Sequence, residues 1–394
     1  MQILKTLSKN KLTSSLLASL LLVSANAETF EDYKAQYQQN FQKQKEAFAQ
    51  YKKEQEKAFL DYKKELQKYW ENPIINSKKE LVSYSKDKKS RSIIDFKNNE
   101  LTIETLAKDK KEAKQKLALS LAKAVTYNTT DFYNKDELVQ KISKIETKQR
   151  MQHAKIDKKP VLAPLFFKKQ PTKKSLLKLV KKELTSEKIV VKKSKKVADE
   201  KVYILSIKLP KNATVKRSRI YYKDVKLQAK KELLPISLIF AIMHSESSFN
   251  PMARSHVPAY GLMQIVPKTA GIDAYYYLYR QKRLVGSSYL YNANNNIKMG
   301  SAYLHILYYR YLRDIKDPQS RLYCTIAAYN TGAGNVSRAF VASYNTHKAA
   351  KVINKLTPDE VYAKLLQDLR YEEPKVYLKK VTKRMKMYQK IYEG

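Results

Sequence analysis

The sequence predicts an α+β protein in which a mostly α-helical C-terminal domain follows a smaller mixed α/β domain and a long N-terminal helix. Aromatic residues recur at spacings of three, four and seven across a Lys-, Glu- and Gln-rich stretch over residues 28–72, which is typical of one face of a long helix. Apolar runs rich in β-branched residues at 189–191 and 202–207 indicate strands. From residue 224 onward, apolar positions recur with helical periodicity almost throughout.

The first 27 residues predict a secretory signal peptide. Three lysines precede an apolar stretch over residues 12–23, which leads into Ala-Asn-Ala, a pattern typical of cleavage after Ala27. The apolar stretch is too short to span a membrane. Because the single cysteine, Cys324, lies far from the cleavage site, we expect no lipid anchor on a cysteine and no disulfide within one chain. The prediction is a periplasmic protein, and peripheral association with a membrane stays open.

The aromatic residues of 28–72 form an aromatic stripe with two interpretations. Helical spacing puts them on one face, where they can pack against the following domain or against a second copy of the chain. A ligand site is the less favoured interpretation, and the oligomeric state stays open. The aromatic stripe comprises Tyr33, Tyr37, Phe41, Phe48, Tyr51, Phe59 and Tyr62.

Residues 73–200 predict a small α+β domain, and residues 201–228 a connecting strand and linker that lead to the C-terminal domain at 229–394. The densest lysine run lies between residues 168 and 201, where interspersed leucines allow a basic amphipathic helix. This basic run is either a solvated helix face or a surface that holds the protein against an anionic wall or membrane.

The net charge predicts anionic partners. It is +41 for the whole sequence and falls to +38 when the three lysines of the signal peptide are removed. In a cytoplasmic protein such a charge would indicate nucleic acid. Export excludes that partner and leaves the carboxylates of the cell wall and anionic membrane surfaces, with solubility alone as the competing interpretation.

Glu246 is the candidate catalytic residue, because its position predicts a buried carboxyl. Residues 235–245 read as a helix with Pro235 in its first turn. Glu246 follows Ile242 by four residues and Met243 by three, so it lies on the apolar face. Burial disfavours the charged form of a carboxyl and raises its pKa, as a general acid requires near neutral pH. A helix-terminal glutamate whose head reaches water is the competing interpretation.

Three ordered motifs surround this carboxyl. Glu-Ser-Ser-Phe-Asn-Pro occupies 246–251, Gly-Leu-Met-Gln-Ile occupies 261–265, and Ala-Tyr-Asn-Thr-Gly occupies 328–332. In this order the motifs resemble the catalytic domain of the lytic murein transglycosylases, known as the SLT domain, and the resemblance covers about residues 229–394. It implies a mostly α, lysozyme-like fold for the C-terminal domain.

Smaller features resemble one branch of that family, membrane-bound lytic murein transglycosylase C. They are Pro258, Asp273 at the end of a Thr-Ala-Gly-Ile-Asp run, and the three asparagines at 294–296. Members of the branch are lipid-anchored, and the absence of a cysteine at the predicted cleavage site departs from that pattern.

The resemblance implies a set of substrate-binding residues around Glu246. Polar groups would line the cleft and bind the sugar, a methionine would form its apolar wall, and a tyrosine hydroxyl would face the substrate acetamido group or Glu246. Glu373 matches the family less closely, because Pro374 and Lys375 replace the residues that follow it in the family. The set is Ser255, Met263, Gln264, Tyr329, Asn330 and Glu373.

The resemblance also implies the reaction. Glu246 would protonate the glycosidic oxygen between N-acetylmuramic acid and N-acetylglucosamine and then deprotonate the C6 hydroxyl, giving a 1,6-anhydro end. Two other functions stay open: a hydrolytic muramidase in which Asp273 activates water, and a non-enzymatic wall-binding or assembly protein. No cofactor or metal is expected, because five histidines and one cysteine show no ligand spacing near Glu246 and no glycine-rich nucleotide motif occurs.

Overall fold

The computed structural model describes residues 30–148, 151–256 and 258–394, without the side chains of residues 30–45, 47 and 48. The predicted signal peptide lies outside this range. The chain forms two compact units that divide between residues 56 and 57. Helix α1 (Phe30–Leu66) supplies residues to both units and confirms the long helix predicted over 28–72. Within the described ranges, no helix combines the length and the apolarity needed to cross a membrane.

Two residues of the aromatic stripe, Phe59 and Tyr62, lie in the second unit. They pack there with Leu66, Leu138 and Ile142. For these two residues, the interpretation as a packing stripe is confirmed. Four other members of the stripe fall outside the described side chains: Tyr33, Tyr37, Phe41 and Phe48.

One antiparallel sheet of five strands forms the centre of the mixed part of the second unit. The strands are β1 (Glu80–Tyr84), β2 (Ser90–Asp95), β3 (Glu100–Ala107), β4 (Ile189–Lys193) and β5 (Lys201–Lys208), in the spatial order β1-β2-β3-β5-β4. The strands predicted at 189–191 and 202–207 are therefore confirmed. Strand β5 is an interior strand of this sheet, so the sheet extends past residue 200, where the sequence placed the start of a connecting strand and linker.

Helix α2 (Lys110–Thr126) covers one face of the sheet. Its Leu117 and Leu121 are fully buried and share a core with Ile94 and Ile103 of the strands. The side chain of Asp109 accepts a hydrogen bond from the backbone N–H of Glu112 and so caps the first turn. The remaining helices of this part are α3 (Thr129–Lys135), α4 (Glu137–Lys148), α5 (Ala163–Phe166) and α6 (Lys173–Glu183). Helix α6 confirms that part of the basic run is helical.

Helices make up most of the remaining chain. They are α7 (Ala213–Ile220), α8 (Tyr222–Glu232), α9 (Ile236–Ser247), α10 (Ile272–Tyr279), α11 (Ser287–Tyr291), α12 (Ala293–Ile306), α13 (Pro318–Thr331), α14 (Ala333–Arg338), α15 (Thr346–Ile353), α16 (Pro358–Asp368) and α17 (Glu372–Tyr392). The predicted α+β class, with its mostly helical C-terminal part, is confirmed. The domain limits themselves stay predictions.

Helix α9 lies in the centre of the helical part. Every residue from 238 to 243 is completely buried, which leaves this helix without a solvent-facing side over nearly two turns. Stacked rings join it to α17: the Phe240 ring lies 4.5 Å from that of Tyr392. Glu146 of α4 ties the two parts of the second unit together, because its Oε2 accepts hydrogen bonds from the N–H (2.8 Å) and the hydroxyl (2.7 Å) of Ser287.

Candidate active site

Glu246 lies in the last turn of α9, and local backbone geometry ends the helix directly after it. Ser248 and Phe249 both adopt left-handed backbone conformations, with φ of 52° and 66°. The Ser247 hydroxyl donates to the carbonyl oxygen of Leu262 at 2.8 Å, which fastens the end of α9 to the motif at 261–265. The end of α9 is therefore fixed by the turn that follows it and by the hydrogen bond to the loop at 261–265.

Glu246 is buried, with 7% of the residue's surface exposed. Burial raises its pKa, and the charge of Glu373 adds to that effect, while the charges of Lys78 and Lys79 and the hydroxyl of Tyr377 lower it. The burial and the raised pKa predicted from helical spacing are both confirmed. Burial therefore favours the protonated carboxyl more than it would be favoured in an ordinary surface glutamate.

Tyr377 of α17 is a site residue that the sequence analysis did not single out. Its hydroxyl is buried and interacts with the Glu246 carboxyl, although the contact falls short of full hydrogen-bond geometry. The hydroxyl has no other hydrogen-bond partner within the described residues. A signal was present, because Tyr377 lies four residues after Glu373 and so shares its helix face.

The loop at 261–265 is built around a glycine and a buried amide. Gly261 has φ of +75°, and a Cβ atom there would overlap the Asn296 side chain and the carbonyl of Leu290, so only glycine fits. The Asn296 Oδ1 accepts a hydrogen bond from the N–H of Met263 at 2.8 Å. Its Nδ2 donates to the carbonyls of Tyr260 and Leu290, both at 2.8 Å.

Gln264 has a left-handed backbone, with φ of 50°, and is nearly buried. Its Nε2 donates to the carbonyls of Ala253 (3.1 Å) and Gly261 (3.0 Å), so both amide hydrogens serve the loop itself. Its Oε1 is buried and meets no donor among the described residues. A non-glycine residue in this conformation is strained, and such strain concentrates at functional sites.

The side chain of Tyr329 contacts the backbone of Met263. The hydroxyl of Tyr329, at the end of α13, donates to the Met263 carbonyl oxygen at 2.9 Å. Burial raises the pKa of Tyr329 well above its usual value, and the charge of Glu246 adds to this effect. Tyr329 therefore lies near Glu246. The Met263 side chain has no exposed surface and packs on Gly300 of α12, so it belongs to the core beneath the loop.

The remaining predicted residues are dispersed around this centre. Asn330 donates to the Oε1 of Glu373 at 3.5 Å, which joins the ends of α13 and α17. Ser255 pairs with Ala259 through its backbone and hydroxyl, and thus closes the loop before 261–265. Asp273, in the first turn of α10, accepts a hydrogen bond from Tyr311 at 3.0 Å. Glu373 rather than Asp273 is the carboxylate that raises the pKa of Glu246.

Residues 225–352, which include Glu246, the loop at 261–265 and Tyr329, match the family model of the Transglycosylase SLT domain. This match defines the class of the helical part. A second family model, the N-terminal domain of membrane-bound lytic murein transglycosylase C, matches residues 41–153.

Relatives extend the similarity beyond single domains. A membrane-bound lytic murein transglycosylase C of Haemophilus ducreyi is 32% identical over 320 residues, which cover 80% of this chain and 81% of the relative. That of Cronobacter sakazakii is 41% identical over 192 residues, or 48% of this chain and 52% of the relative. The chain thus spans about half the length of several curated relatives that it matches. It belongs to the membrane-bound lytic murein transglycosylase C family.

Two solved structures are also similar. The lytic transglycosylase Slt of Pseudomonas aeruginosa is 22% identical with a TM-score of 0.33, covering 46% of this chain and 28% of its own. The 70 kDa soluble lytic transglycosylase of Escherichia coli is 22% identical with a TM-score of 0.33, covering 43% of this chain and 24% of its own.

Proposed function

We propose that this protein is a peptidoglycan lytic transglycosylase that cleaves the β-1,4 bond between N-acetylmuramic acid and N-acetylglucosamine without water. Glu246 carries the proposal, because it is a buried carboxyl with a raised pKa. The names of its relatives, lytic murein transglycosylases, support the same reaction and substrate.

Glu246 performs two proton transfers in this mechanism. Its protonated carboxyl donates to the glycosidic oxygen, so the bond to C1 breaks and the N-acetylglucosamine hydroxyl leaves. The acetamido oxygen of the substrate stabilises the cationic sugar. The carboxylate then takes the proton of the C6 hydroxyl, whose oxygen bonds to C1 and closes the 1,6-anhydro ring. The proton balance is zero, and Glu246 is restored without a water molecule.

The surrounding residues bind and orient the sugar in this proposal. The free Oε1 of Gln264 is the acceptor for a substrate N–H or hydroxyl, because its two amide hydrogens are occupied by backbone carbonyls. Tyr329 fixes the loop through Met263, and its hydroxyl lies near Glu246. Asn330 and Glu373 bind at the exposed edge, and Ser255 shapes the preceding loop.

A hydrolytic muramidase is the second candidate, and one observation favours it. The Glu373 charge acts directly on Glu246, which is the relation expected of a second carboxylate that could activate water. Asp273 is the weaker partner, because its carboxylate is engaged by Tyr311.

Digestion of purified sacculi, followed by mass spectrometry of the soluble products, tests these functions. Anhydro ends weigh one water less than reducing ends, so a transglycosylase gives only the lighter products, and Glu373→Gln should leave that product type unchanged. Products with reducing ends that disappear in Glu373→Gln would indicate the muramidase. Sacculus binding without any soluble product would indicate a wall-binding protein.

We further propose that the protein acts in the periplasm after cleavage behind Ala27, with the basic run holding it peripherally to the wall or to an anionic membrane. The relatives are named membrane-bound, and every lysine from residue 168 to residue 201 is exposed. In cell fractionation, we expect the protein in the soluble fraction after the membranes have been washed with salt. A membrane fraction that resists salt would contradict it.

A further inference from the structure

A short segment of the mixed domain, residues 77–80, docks onto the end of the helix that carries Glu246. The Asn250 side chain donates to the carbonyls of Ser77 (3.3 Å) and Glu80 (3.4 Å). The backbone N–H of Arg254 also donates to the carbonyl of Ser77, at 3.4 Å. The entry to β1 is therefore attached to the two loops that follow α9.

Lys79 reaches from this segment to the carbonyl end of α9. Its Nζ donates to the carbonyl oxygen of Ser245 at 2.7 Å and to that of His244 at 3.3 Å. The last carbonyls of a helix lack partners within the helix and carry partial negative charge, so an ammonium group stabilises them. The residue next to Ser245 is Glu246, and Lys79 therefore fixes the backbone that carries the carboxyl.

The two charges also act on each other. Burial lowers the pKa of Lys79 to about 7, and Glu246 opposes this effect. In return the charge of Lys79 lowers the pKa of Glu246, as does that of its neighbour Lys78. These two lysines counteract part of the effect that burial has on Glu246.

We propose that Lys79 is a positioning residue of the active site: it holds the end of α9 and, together with Lys78, sets the proton affinity of Glu246. The inference rests on the function proposed above. It assigns to the mixed domain a direct part in the reaction of the helical domain, because residues 77–79 lead into the first strand of the sheet, which begins at Glu80.

Other charged or titratable groups face the same place. Tyr377 and Glu373 of α17 and Tyr329 of α13 act on Glu246 or are acted on by it. Facing Lys79 are Arg384 and Lys380 of α17. The Arg384 guanidinium also donates to the Ser245 hydroxyl at 2.8 Å, and His244 on α9 is held neutral, since burial lowers its pKa to about 3.

The test is the pH profile of kcat/KM on soluble, uncross-linked glycan strands for Lys79→Met, Lys79→Arg and Lys97→Met. The profile should fall as pH rises through the pKa of Glu246, because the first step needs the protonated carboxyl. Removing a nearby cation raises that pKa, so Lys79→Met should move the fall to higher pH by about one unit. Lys79→Arg keeps a positive charge beside Glu246 and should not move the fall to higher pH. Lys97→Met removes an exposed charge from the turn between β2 and β3 and serves as the control.

Equal profiles for Lys79→Met, Lys97→Met and the unaltered protein would overturn the inference. If Lys79→Met does not fold, Lys78→Met gives the same test, because Lys78 lowers the pKa of Glu246 as well. An unshifted profile in Lys78→Met would then overturn it. Failure of the proposed function gives a different result, since the unaltered protein would then release no anhydro products at any pH.

Discussion

Gly300→Ala perturbs the support of the active-site loop through the buried side chain of Met263 and leaves Glu246 and Gln264 unchanged. Gly300 lies in the middle of α12, and a Cβ atom there would overlap the Sδ of Met263 and lie 2.7 Å from its Cε and 2.9 Å from its Cβ. The Met263 side chain has no exposed surface into which it could move. Its backbone is also fixed, because its N–H donates to Asn296 and its carbonyl accepts from Tyr329.

Two opposing free energies decide the outcome. Replacing glycine by alanine inside a helix stabilises the folded state by about 1 kcal/mol. Overpacking a closed core costs about 1–3 kcal/mol. Because the overlap involves the fixed Cβ of Met263 as well as its flexible end, we expect a cost in the upper half of that range and a net loss of about 1 kcal/mol. The strain should also displace the Met263 carbonyl and lower the rate of glycan cleavage.

Urea denaturation followed by circular dichroism measures the stability change, and release of anhydro products measures the activity. Gly334→Ala is the matched control in α14, where the added Cβ would lie 3.0 Å from the ring of Tyr344. Tyr344 is 64% exposed, so its ring has solvent into which it can shift, and a smaller loss than that of Gly300→Ala is expected. A Gly300→Ala protein as stable as the unaltered one, with full activity, would show that the packing of Met263 does not hold the loop.

Three further predictions follow from the site and the surface. Glu246→Gln should lower turnover by about 10³-fold or more, since positioned acid–base groups contribute about 10²–10⁴-fold. Glu246→Gln should also raise Tm at pH 7. The pKa of Glu246 is higher in the folded than in the unfolded chain, so ionisation of this carboxyl destabilises the folded state once the pH exceeds the pKa in the unfolded chain, and the amide removes that cost. A lower Tm would contradict this. Tyr377→Phe removes a hydroxyl that lowers the pKa of Glu246, so the fall of kcat/KM should move to higher pH, and an unmoved profile would exclude this contact. Changing four exposed lysines of α6 to glutamate should weaken sedimentation with sacculi at low salt more than the same change on α8, and equal weakening would remove the specific role of the basic run. The α6 set is Lys173, Lys174, Lys181 and Lys182, and the α8 set is Lys223, Lys226, Lys230 and Lys231.

The burial of Glu246 could be predicted because it depends on one helix. Its spacing from Ile242 and Met243 fixes the face on which it lies, whatever packs there. Lys79 could not be found in this way, since it approaches Glu246 from a segment more than a hundred residues away along the chain. Tyr377 is equally distant in sequence, and periodicity links it only to Glu373 on its own helix. Tertiary packing decides which of these residues reach the Glu246 carboxyl, and the periodicity of α9 carries no information about it.

The strands also differ in whether the sequence could predict them. β4 and β5 carry continuous apolar runs, which the sequence reveals. β2 reads Ser-Arg-Ser-Ile-Ile-Asp, and its first residues are polar yet buried. Burial of Ser90 is tolerated because its hydroxyl forms a hydrogen bond with that of Thr105 at 2.7 Å. A hydrogen-bonded polar pair in a core does not produce an alternating apolar pattern. Met263 is a comparable case, in which a motif suggests a cleft wall but the side chain fills the core beneath it.

The strand order has a practical consequence for work on the isolated mixed domain. β5 is last in sequence yet lies between β3 and β4. A fragment that stops at residue 200 would lose this strand and leave β3 and β4 with open backbone donors and acceptors. Such edges recruit strands from other molecules. Fragments should therefore extend beyond Lys208, or self-association in the test tube would be mistaken for a property of the whole protein.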